Sequence, residues 1–91
     1  MGSTDNEAAG RYELEADGHV AAVLMYRDRQ GRRVLVHTEV DPAFEGRGLG
    51  TTIVRETLDD VRRRGLKIVP LCPFVREYLE RHPEDADLVA A

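Results

Sequence analysis

Apolar and polar residues along the first half of the chain follow the period of β-strands. Tyr12 to Ala16 alternates apolar with charged residues, which is the pattern of a half-buried strand. Val20 to Tyr26 is apolar enough for a central strand, and Arg32 to Val40 predicts a third. Turn residues, Asp17-Gly18 and then Asp28 to Gly31, separate these segments. The pattern therefore predicts antiparallel hairpins.

In the third predicted strand the period of two divides the side chains between two faces. Val34, Val36, Thr38 and Val40 share one face, which we expect to be buried. The other face is more polar and carries Arg33, Leu35, His37 and Glu39. We expect this second face to be partly open to solvent.

After Val40 the pattern changes from strand to loop to helix. Asp41-Pro42 ends the strand, because proline disfavours helical geometry in the residue before it. Three glycines then follow at alternate positions, Gly46, Gly48 and Gly50. Helical spacing of apolar residues begins near Thr51 and continues to Arg64, with Gly65 as the expected cap. A strand, a bare loop and a helix N-terminus together form a binding site for an anion.

The last third of the chain predicts a strand and a second helix. Lys67 to Leu71 is a short apolar strand, which should pair in parallel and right-handed fashion with the strand before the helix. Pro73 opens a helix that runs to about Arg81, with Cys72 at or next to its N-cap. Residues 1–10 are polar and unpatterned, so we expect a flexible tail followed by a single domain over residues 11–91. The predicted fold class is a compact α/β domain.

Composition and charge argue against several classes of function. The chain has 91 residues and a net charge of -4, which argues against general nucleic-acid binding despite the triplet Arg62-Arg63-Arg64. It has no signal peptide and one cysteine, which predicts a reducing compartment, the cytoplasm. No apolar run approaches the roughly 20 residues of a membrane span. Three scattered histidines and that cysteine give no metal-ligand spacing.

The glycine-rich loop does not match the common nucleotide-binding motifs. A P-loop requires a lysine before its Ser or Thr, and no lysine lies in this loop or in the first turn of the helix. A dinucleotide fingerprint requires Gly-x-Gly-x-x-Gly, whereas the spacing here is Gly-x-Gly-x-Gly. A pyrophosphate held by backbone amides, without lysine or metal, fits the pattern best.

The segment Phe44 to Thr51 resembles the acetyl-CoA loop of the GNAT acetyltransferase superfamily, whose pattern is Gln/Arg-x-x-Gly-x-Gly/Ala. Glu45 departs from that pattern, which has Gln or Arg at its position. The chain is more closely similar to a small single-domain GNAT-like subfamily over about residues 11–88. The marks of that subfamily are the glycine loop, His37-Thr38-Glu39-Val40, Pro70-Leu71-Cys72-Pro73-Phe74-Val75, Tyr78 and His82-Pro83-Glu84.

This resemblance implies that acetyl-CoA lies between two parallel strands that splay apart. The pantetheine arm would pair with the backbone of Thr38, Glu39 and Val40 like an added strand. The remaining residues implied to contact the cofactor are Glu45, Gly46, Arg47, Gly48, Leu49, Gly50, Thr51, Thr52 and Cys72. Helix capping explains Thr51 and Thr52 equally well.

Three residues are candidates for catalysis. Cys72 lies where free amides and the helix dipole stabilise a thiolate, although a cysteine there is also explained as a small buried hydrophobe. His37 lies just before the loop and is a candidate general base, or else a surface histidine. Tyr78 corresponds to a tyrosine that protonates the leaving thiolate in many GNAT-like enzymes, or else it belongs to the core.

The favoured function is acetyl transfer from acetyl-CoA to an amine, by a monomer or weak dimer. Compared with larger GNAT enzymes, the chain lacks the N-terminal helices and the final strand pair. An acceptor side left open in this way suits a protein or peptide amine better than an enclosed metabolite. The alternative is an acyl-CoA-binding module or sensor without transfer activity.

Overall fold

One mixed sheet carries two helices in the computed structural model, which describes residues 2–91. The strands are β1 (Thr4–Asn6), β2 (Arg11–Ala16), β3 (His19–Arg29), β4 (Arg32–Val40) and β5 (Lys67–Pro70). The helices are α1 (Leu49–Arg63) and α2 (Pro73–Arg81), and short 3-10 turns cover Glu7–Ala9, Pro42–Phe44 and Pro83–Leu88. The strands follow one another in chain order across the sheet, and only β4 and β5 pair in parallel. The predicted α/β class and the parallel crossover pair are confirmed.

Both hairpins turn where the sequence predicts. Asp17 and Gly18 have φ values of 53° and 79°, and Gln30 and Gly31 have values of 53° and 77°. Positive φ at both central residues is the geometry of a two-residue turn whose twist matches the flanking strands.

Strand β4 contains a β-bulge that the alternation of its sequence does not reveal. Met25 of β3 pairs with His37, whereas the next residue, Tyr26, pairs with Leu35. Val36 is therefore an extra residue without a partner on β3. One extra residue reverses the facing of every side chain that follows it.

The bulge corrects the prediction for the two faces of β4. Arg33 and Leu35 are 3% and 0% exposed and lie on the buried face. After the bulge, Thr38 and Val40 occupy the buried face, while His37 and Glu39 point to the solvent side. The prediction that Arg33 and Leu35 share the open face with His37 is wrong, because a strict period of two does not hold across Val36.

Both helices pack on the same face of the sheet. Their apolar residues join those of the strands in a single core cluster, whose members include Leu14, Leu24, Leu35, Ile53, Val54, Leu58, Val61, Ile68, Val75 and Tyr78. Burying a side chain of this size contributes about 1.5–3 kcal/mol relative to leaving it exposed. Within residues 2–91 no helix lies on the opposite face of the sheet, which we call the uncovered face.

The N-terminal residues differ from the flexible tail that the sequence predicts. Thr4–Asn6 pairs with β2, and Asp5 accepts hydrogen bonds from the Tyr26 hydroxyl at 2.5 Å and from Arg33 at 3.1 Å. The sequence shows polar residues here but not their partners, which come from distant positions. Charge pairing, and not apolar burial, orders this segment.

The ends of the crossover agree with the sequence. Gly65 has φ 70°, and its amide donates to the Arg62 carbonyl, while the amide of Leu66 donates to the Val61 carbonyl. This pair of hydrogen bonds is typical of a glycine C-cap. After α2 the chain returns to the outer edge of β5, where Ala90 donates to the Ile68 carbonyl at 2.8 Å. Helix α1 begins at Leu49, earlier than the predicted Thr51.

Candidate active site at the open edge of β4

Strand β5 pairs along its whole length with the first half of β4. The paired residues run from Arg32 with Lys67 to Leu35 with Pro70. The Leu35 carbonyl accepts the last two bonds, from the amides of Leu71 and Cys72, both at 3.0 Å. Residues 36–40 of β4 have no partner on this side, because the chain after Cys72 turns into α2. We call this stretch the open edge.

The open edge presents backbone groups of two residues. Asp41 donates to the Ala21 carbonyl of β3 at 2.8 Å, so its backbone faces β3. Backbone direction alternates along an antiparallel ladder. The N–H and C=O groups of Thr38 and Val40 therefore point away from β3, into the open edge. Such groups can pair with an extended ligand as another strand would.

The loop after β4 is held by its own side chains. Asp41 caps the short turn Pro42–Phe44 by accepting from the Ala43 amide at 2.9 Å. Arg47 lies 5.1 Å from the ring centre of Phe44 and forms an ion pair with Asp17 at 3.1 Å. The Arg47 side chain is therefore already occupied. Glu45 is exposed at the end of the turn.

Helix α1 begins with free amides that are not capped by any side chain. Its N-cap is Gly48, with φ 72°, and there is no acidic residue in the first turn. The Thr52 hydroxyl donates back to the Gly48 carbonyl at 3.1 Å, so this residue supports the helix start. Thr51 is exposed beside it. The first amides of α1 and the positive end of its dipole remain available to an anion.

A close contact joins the start of α1 to α2 and β4. A Cβ atom added to Gly50 would lie 3.0 Å from Cζ of Phe74 and 3.5 Å from Cγ2 of Val40. Glycine at this position therefore lets the N-terminus of α1 approach the first turn of α2. Phe74 is 40% exposed, so its ring forms part of the wall of this site.

Cys72 lies against the open edge. It occupies the N-cap position of α2 and is 2% exposed, but its side chain makes no capping hydrogen bond. Its Sγ atom instead lies 3.4 Å from Oγ1 of Thr38. The bulge in β4 is what directs Thr38 to this side.

His37 is on the opposite face of β4 from Cys72. Its Nε2 atom lies 3.0 Å from Oε2 of Glu39, and both side chains are more than half exposed on the uncovered face. The strand ends that carry His37 and Cys72 are adjacent, as the sequence predicts, but the two side chains are not directed toward each other. The structure therefore pairs His37 with Glu39.

Tyr78 lies in the groove between α1 and α2. It is 7% exposed and stacks on His82, with ring centres 3.9 Å apart and an angle of 11° between the planes. This groove has a volume of about 90 Å³ and is also lined by Thr51 and Phe74. Burial raises the pKa of Tyr78 above that of an ordinary tyrosine, which makes its hydroxyl a weaker acid.

Sequence reasoning missed the contribution of two side chains to this site. The hydroxyl of Thr38 contacts Cys72, and the ring of Phe74 closes on Gly50, whereas the sequence points only to the Thr38 backbone. Strict alternation predicts the buried face for Thr38 and Val40, and both residues lie there. Their facing nevertheless depends on the bulge at Val36, which strict alternation does not include. A parallel strand followed directly by Cys-Pro-Phe was the available signal for Phe74.

A buried charge cluster at the other end of β4 was also missed. We call it the Arg33 cluster; it consists of Arg33, Asp5, Asp28, Asp60, Arg64, Tyr12 and Tyr26. Arg33 donates hydrogen bonds to both carboxylate oxygens of Asp28 at 2.8 Å and to the Tyr12 hydroxyl oxygen at 2.7 Å. Its guanidinium lies 4.0 Å from the ring centre of Tyr26. No motif marks these residues, because they come from four strands and the end of α1.

The hydrogen bonds of this cluster lower the pKa of two of its carboxyl groups. Burial alone would raise the pKa of Asp60, but hydrogen bonds from Tyr12 and Arg64 outweigh it and hold that pKa below the usual range. The bond from Arg33 lowers the pKa of Asp28. Arg62 pairs separately with Asp85 and Asp87, so the basic triplet at the end of α1 is largely neutralised.

Among residues 2–91, no group of three or more His, Cys, Asp or Glu side chains is placed to hold a metal ion. None of the helices in the described part of the chain is long and apolar enough to cross a membrane.

Comparison with known proteins identifies relatives over most of the chain. A family model described as GCN5-related N-acetyl-transferase matches residues 11–88. Protein NATD1 from Gallus gallus is 36% identical over 67 residues, which cover 71% of this chain and 60% of that protein. Protein NATD1 from Homo sapiens has the same identity over 67 residues, covering 58% of its length. The chain thus spans about 60% of the length of these curated relatives.

A solved structure has a similar fold. The solution structure of a GCN5-like protein from Staphylococcus aureus matches with a TM-score of 0.72, covering 98% of this chain and 87% of that one. The sequence identity is 21%, so this likeness supports the fold alone.

Proposed function

Because this chain belongs to the GCN5-related N-acetyltransferase family, we propose that it transfers the acetyl group of acetyl-CoA to an amine of a protein or peptide. Membership of the family supports acyl transfer in general. One observation carries the proposal for this chain: the open edge of β4 lies directly beside the uncapped N-terminus of α1. A ligand with a pyrophosphate and an amide-containing arm needs these two features side by side.

The chain has suitable partners for both parts of acetyl-CoA. The amides of Gly46, Gly48 and the first turn of α1 would hold the pyrophosphate, with the helix dipole favouring its charge. Thr38 and Val40 would pair with the pantetheine arm through their free backbone groups. An amide of the same edge would polarise the thioester carbonyl, as an oxyanion hole does.

The acceptor amine reaches the thioester from the uncovered face. Helices α1 and α2 cover the other face, so within the described residues the approach from that side is blocked by the core. His37 and Glu39 flank the route, and either His37 or a water held by the pair takes the proton of the amine. The amine nitrogen then forms the amide bond, the carbon–sulfur bond breaks, and the thiolate of CoA leaves.

Two further residues have roles near the leaving group. Tyr78, buried between α1 and α2, would donate a proton to the departing thiolate. Cys72, beside Thr38, either accepts the acetyl group transiently or positions the thioester by packing. The two roles of Cys72 differ in whether an acetylated enzyme forms.

The alternative function is an acyl-CoA-binding module without transfer activity. The observation that favours it is that His37 and Cys72 lie on opposite faces of β4, so this histidine does not contact the thiol. A module of this kind would use the same loop and the same open edge. It would differ in having no base beside the thioester.

The test is intact-mass spectrometry after incubation with acetyl-CoA, with calorimetric titration of CoA on the same samples. Wild type, Cys72→Ala and His37→Ala are compared, with and without a lysine-containing peptide. Acetylated peptide formed by wild type and reduced by His37→Ala supports the enzyme. CoA binding without any acetylated product supports the binding module.

The covalent route is decided by the same spectra. An acetyl adduct present in wild type and absent in Cys72→Ala shows transfer through the thiol. Acetylated peptide without an adduct shows direct transfer. Absence of CoA binding in all three proteins would contradict both functions.

A further inference from the structure

The uncovered face carries an apolar track with polar residues on both sides. Val20, Val23 and Met25 point outward from β3, and Val20 is 38% exposed. Across the sheet, Val23 pairs with Glu13 of β2 and with Glu39 of β4. The central strand is therefore apolar where both neighbouring strands present carboxylates.

A groove follows this track to the catalytic candidates. Its volume is about 390 Å³, and its lining includes Arg11, Val20, Val23, Met25, Glu39 and Asp41. Met25 pairs with His37, so the groove ends beside the His37–Glu39 pair and the open edge. The groove is shallow and lies along the strands, which suits an extended chain better than a compact metabolite.

The charges around the groove are mainly negative. Glu13 and Glu15 stand on the β2 side, and Glu39 and Asp41 stand on the β4 side. One group of opposite sign lies among them: Arg11, which pairs with Glu13 at 2.7 Å. Hydrogen bonds from Arg11 and then Asn6 lower the pKa of Glu13, so the Glu13 carboxylate stays ionised beside Arg11 at neutral pH.

Three carboxylates remain in excess after this pairing. Glu15 is exposed, Asp41 accepts only a backbone hydrogen bond, and Glu39 contacts only the His37 ring, so none of the three has a lysine or arginine partner. Arg27, farther along β3, bounds the acidic region at its far end. A ligand that complements this face must combine aliphatic and cationic parts.

The geometry points to this groove as the binding surface for the acceptor, an extended peptide segment that carries lysine side chains. Alternate residues of an extended chain lie about 7 Å apart on one side, which matches the spacing of Val23 and Met25 on β3. The aliphatic stems of lysine would pack on Val20, Val23 and Met25, and the ammonium groups would face the carboxylates. This inference rests on the proposed transfer function, since it names the acceptor of the same site.

The experiment is an amide chemical-shift titration with a defined probe. A blocked decapeptide of alternating lysine and alanine is added to the protein in the presence of CoA, and a glutamate-for-lysine peptide serves as the probe control. The variants are Glu15→Lys, on the rim of the groove, and Glu80→Lys. The second is a matched control, because Glu80 is equally a glutamate exposed to solvent but lies on α2, behind the sheet.

We expect the lysine peptide to shift the amides of Val20, Val23, Met25 and Glu39, and its affinity to fall with added salt. Reversal of one rim charge should raise the Kd about threefold to tenfold at low salt for Glu15→Lys, and leave it unchanged for Glu80→Lys. The glutamate peptide should produce no shifts at these residues.

Several results would overturn the inference. These are peptide-induced shifts confined to other surfaces, an equal effect of both charge reversals, or spermidine shifting the same amides at lower concentration than the peptide. Its failure is distinguishable from failure of the proposed function. If the peptide binds this face but CoA does not bind, the transfer function fails and the peptide surface stands.

Discussion

The two halves of strand β4 differ along the edge that faces β5. In the first half, Arg32 to Leu35 pairs fully with β5, and the Arg33 cluster satisfies its buried charges with partners from across the chain. In the second half, β4 has no partner on the same edge, and the neighbouring helix N-terminus has no capping side chain. Backbone hydrogen-bonding groups are paired with β5 in the first half and have no such partner in the second.

This difference shows how a small domain can hold a site open. Free strand edges and uncapped amides lower stability unless a ligand or water satisfies them. The same strands must then be fixed elsewhere, and the Arg33 cluster joins β1, β2, β3, β4 and α1 at the far end. We therefore expect substitutions in the cluster to change stability, and substitutions at the open edge to change ligand binding and reactivity.

Removal of the central charge of the cluster should have the largest effect. Arg33→Leu leaves Asp5, Asp28 and Asp60 without their shared partner, and breaking a buried pair in this way typically costs about 3–5 kcal/mol. The free energy of unfolding from urea titration measures it. Arg62→Leu is the matched control, because that arginine also has two carboxylate partners but is exposed, and we expect little change.

If Arg33→Leu does not fold, Arg33→Lys provides a second measurement. It keeps the charge but loses the paired bonds to Asp28, so an intermediate loss of stability is expected. A stability equal to wild type in either variant would contradict the structural role of the cluster.

Acidification should weaken the cluster by a smaller amount. The folded-state pKa values of Asp60 and Asp28 lie below the usual value near 3.9, so the unfolded chain takes up protons first as the pH falls. The stabilisation they give is complete above about pH 4 to 5 and is lost as the pH drops through the folded values. Thermal unfolding between pH 6 and pH 2 measures this loss, and its slope should be shallower in Asp60→Asn.

The two ends of α1 allow the comparison to be tested within one helix. Gly48 and Gly65 have φ values of 72° and 70°, and an added Cβ would meet no atom within 4 Å at either position. Substitution by alanine should therefore cost each about 1–2 kcal/mol of backbone strain. Only Gly48→Ala should also weaken CoA binding in calorimetry. Equal CoA affinity in both variants would show that the loop does not hold the cofactor.

The contact between Thr38 and Cys72 should have the smallest effect. The hydroxyl can donate to the sulfur, so its loss in Thr38→Val should slow alkylation of Cys72 by iodoacetamide about twofold to tenfold, as expected for one hydrogen bond. Thr38→Ser keeps the donor and should restore the wild-type rate. The same rate in Thr38→Val and wild type would mean that the hydroxyl does not interact with the thiol.

Most of the fold follows from local patterns. The turns at Asp17-Gly18 and Gln30-Gly31, the glycine cap at Gly65 and the proline-led start of α2 each depend on residues a few positions apart. Such signals are readable without tertiary information, and the structure confirms them. The bulge at Val36 is different, because its sequence is as regular as that of the rest of β4.

The candidate site was predictable in part. The glycine loop and the cysteine at the helix start come from short motifs, and the structure places both beside the open edge. The partner of His37 was not predictable, because it depends on which face follows the bulge. The catalytic roles of Cys72, His37 and Tyr78 stay predictions that the experiments above address.

The sequence by itself determined the order of elements from β2 onward, the parallel crossover and the position of the glycine-rich loop, because each is encoded by short-range periodicity and turn chemistry. Only the tertiary structure decided which side chains meet. Asp5 reaches Arg33 across the chain, Thr38 turns to Cys72, and His37 turns away to Glu39. These contacts depend on strand register and on one unpaired residue, and register is set by the packing of the whole sheet against its helices.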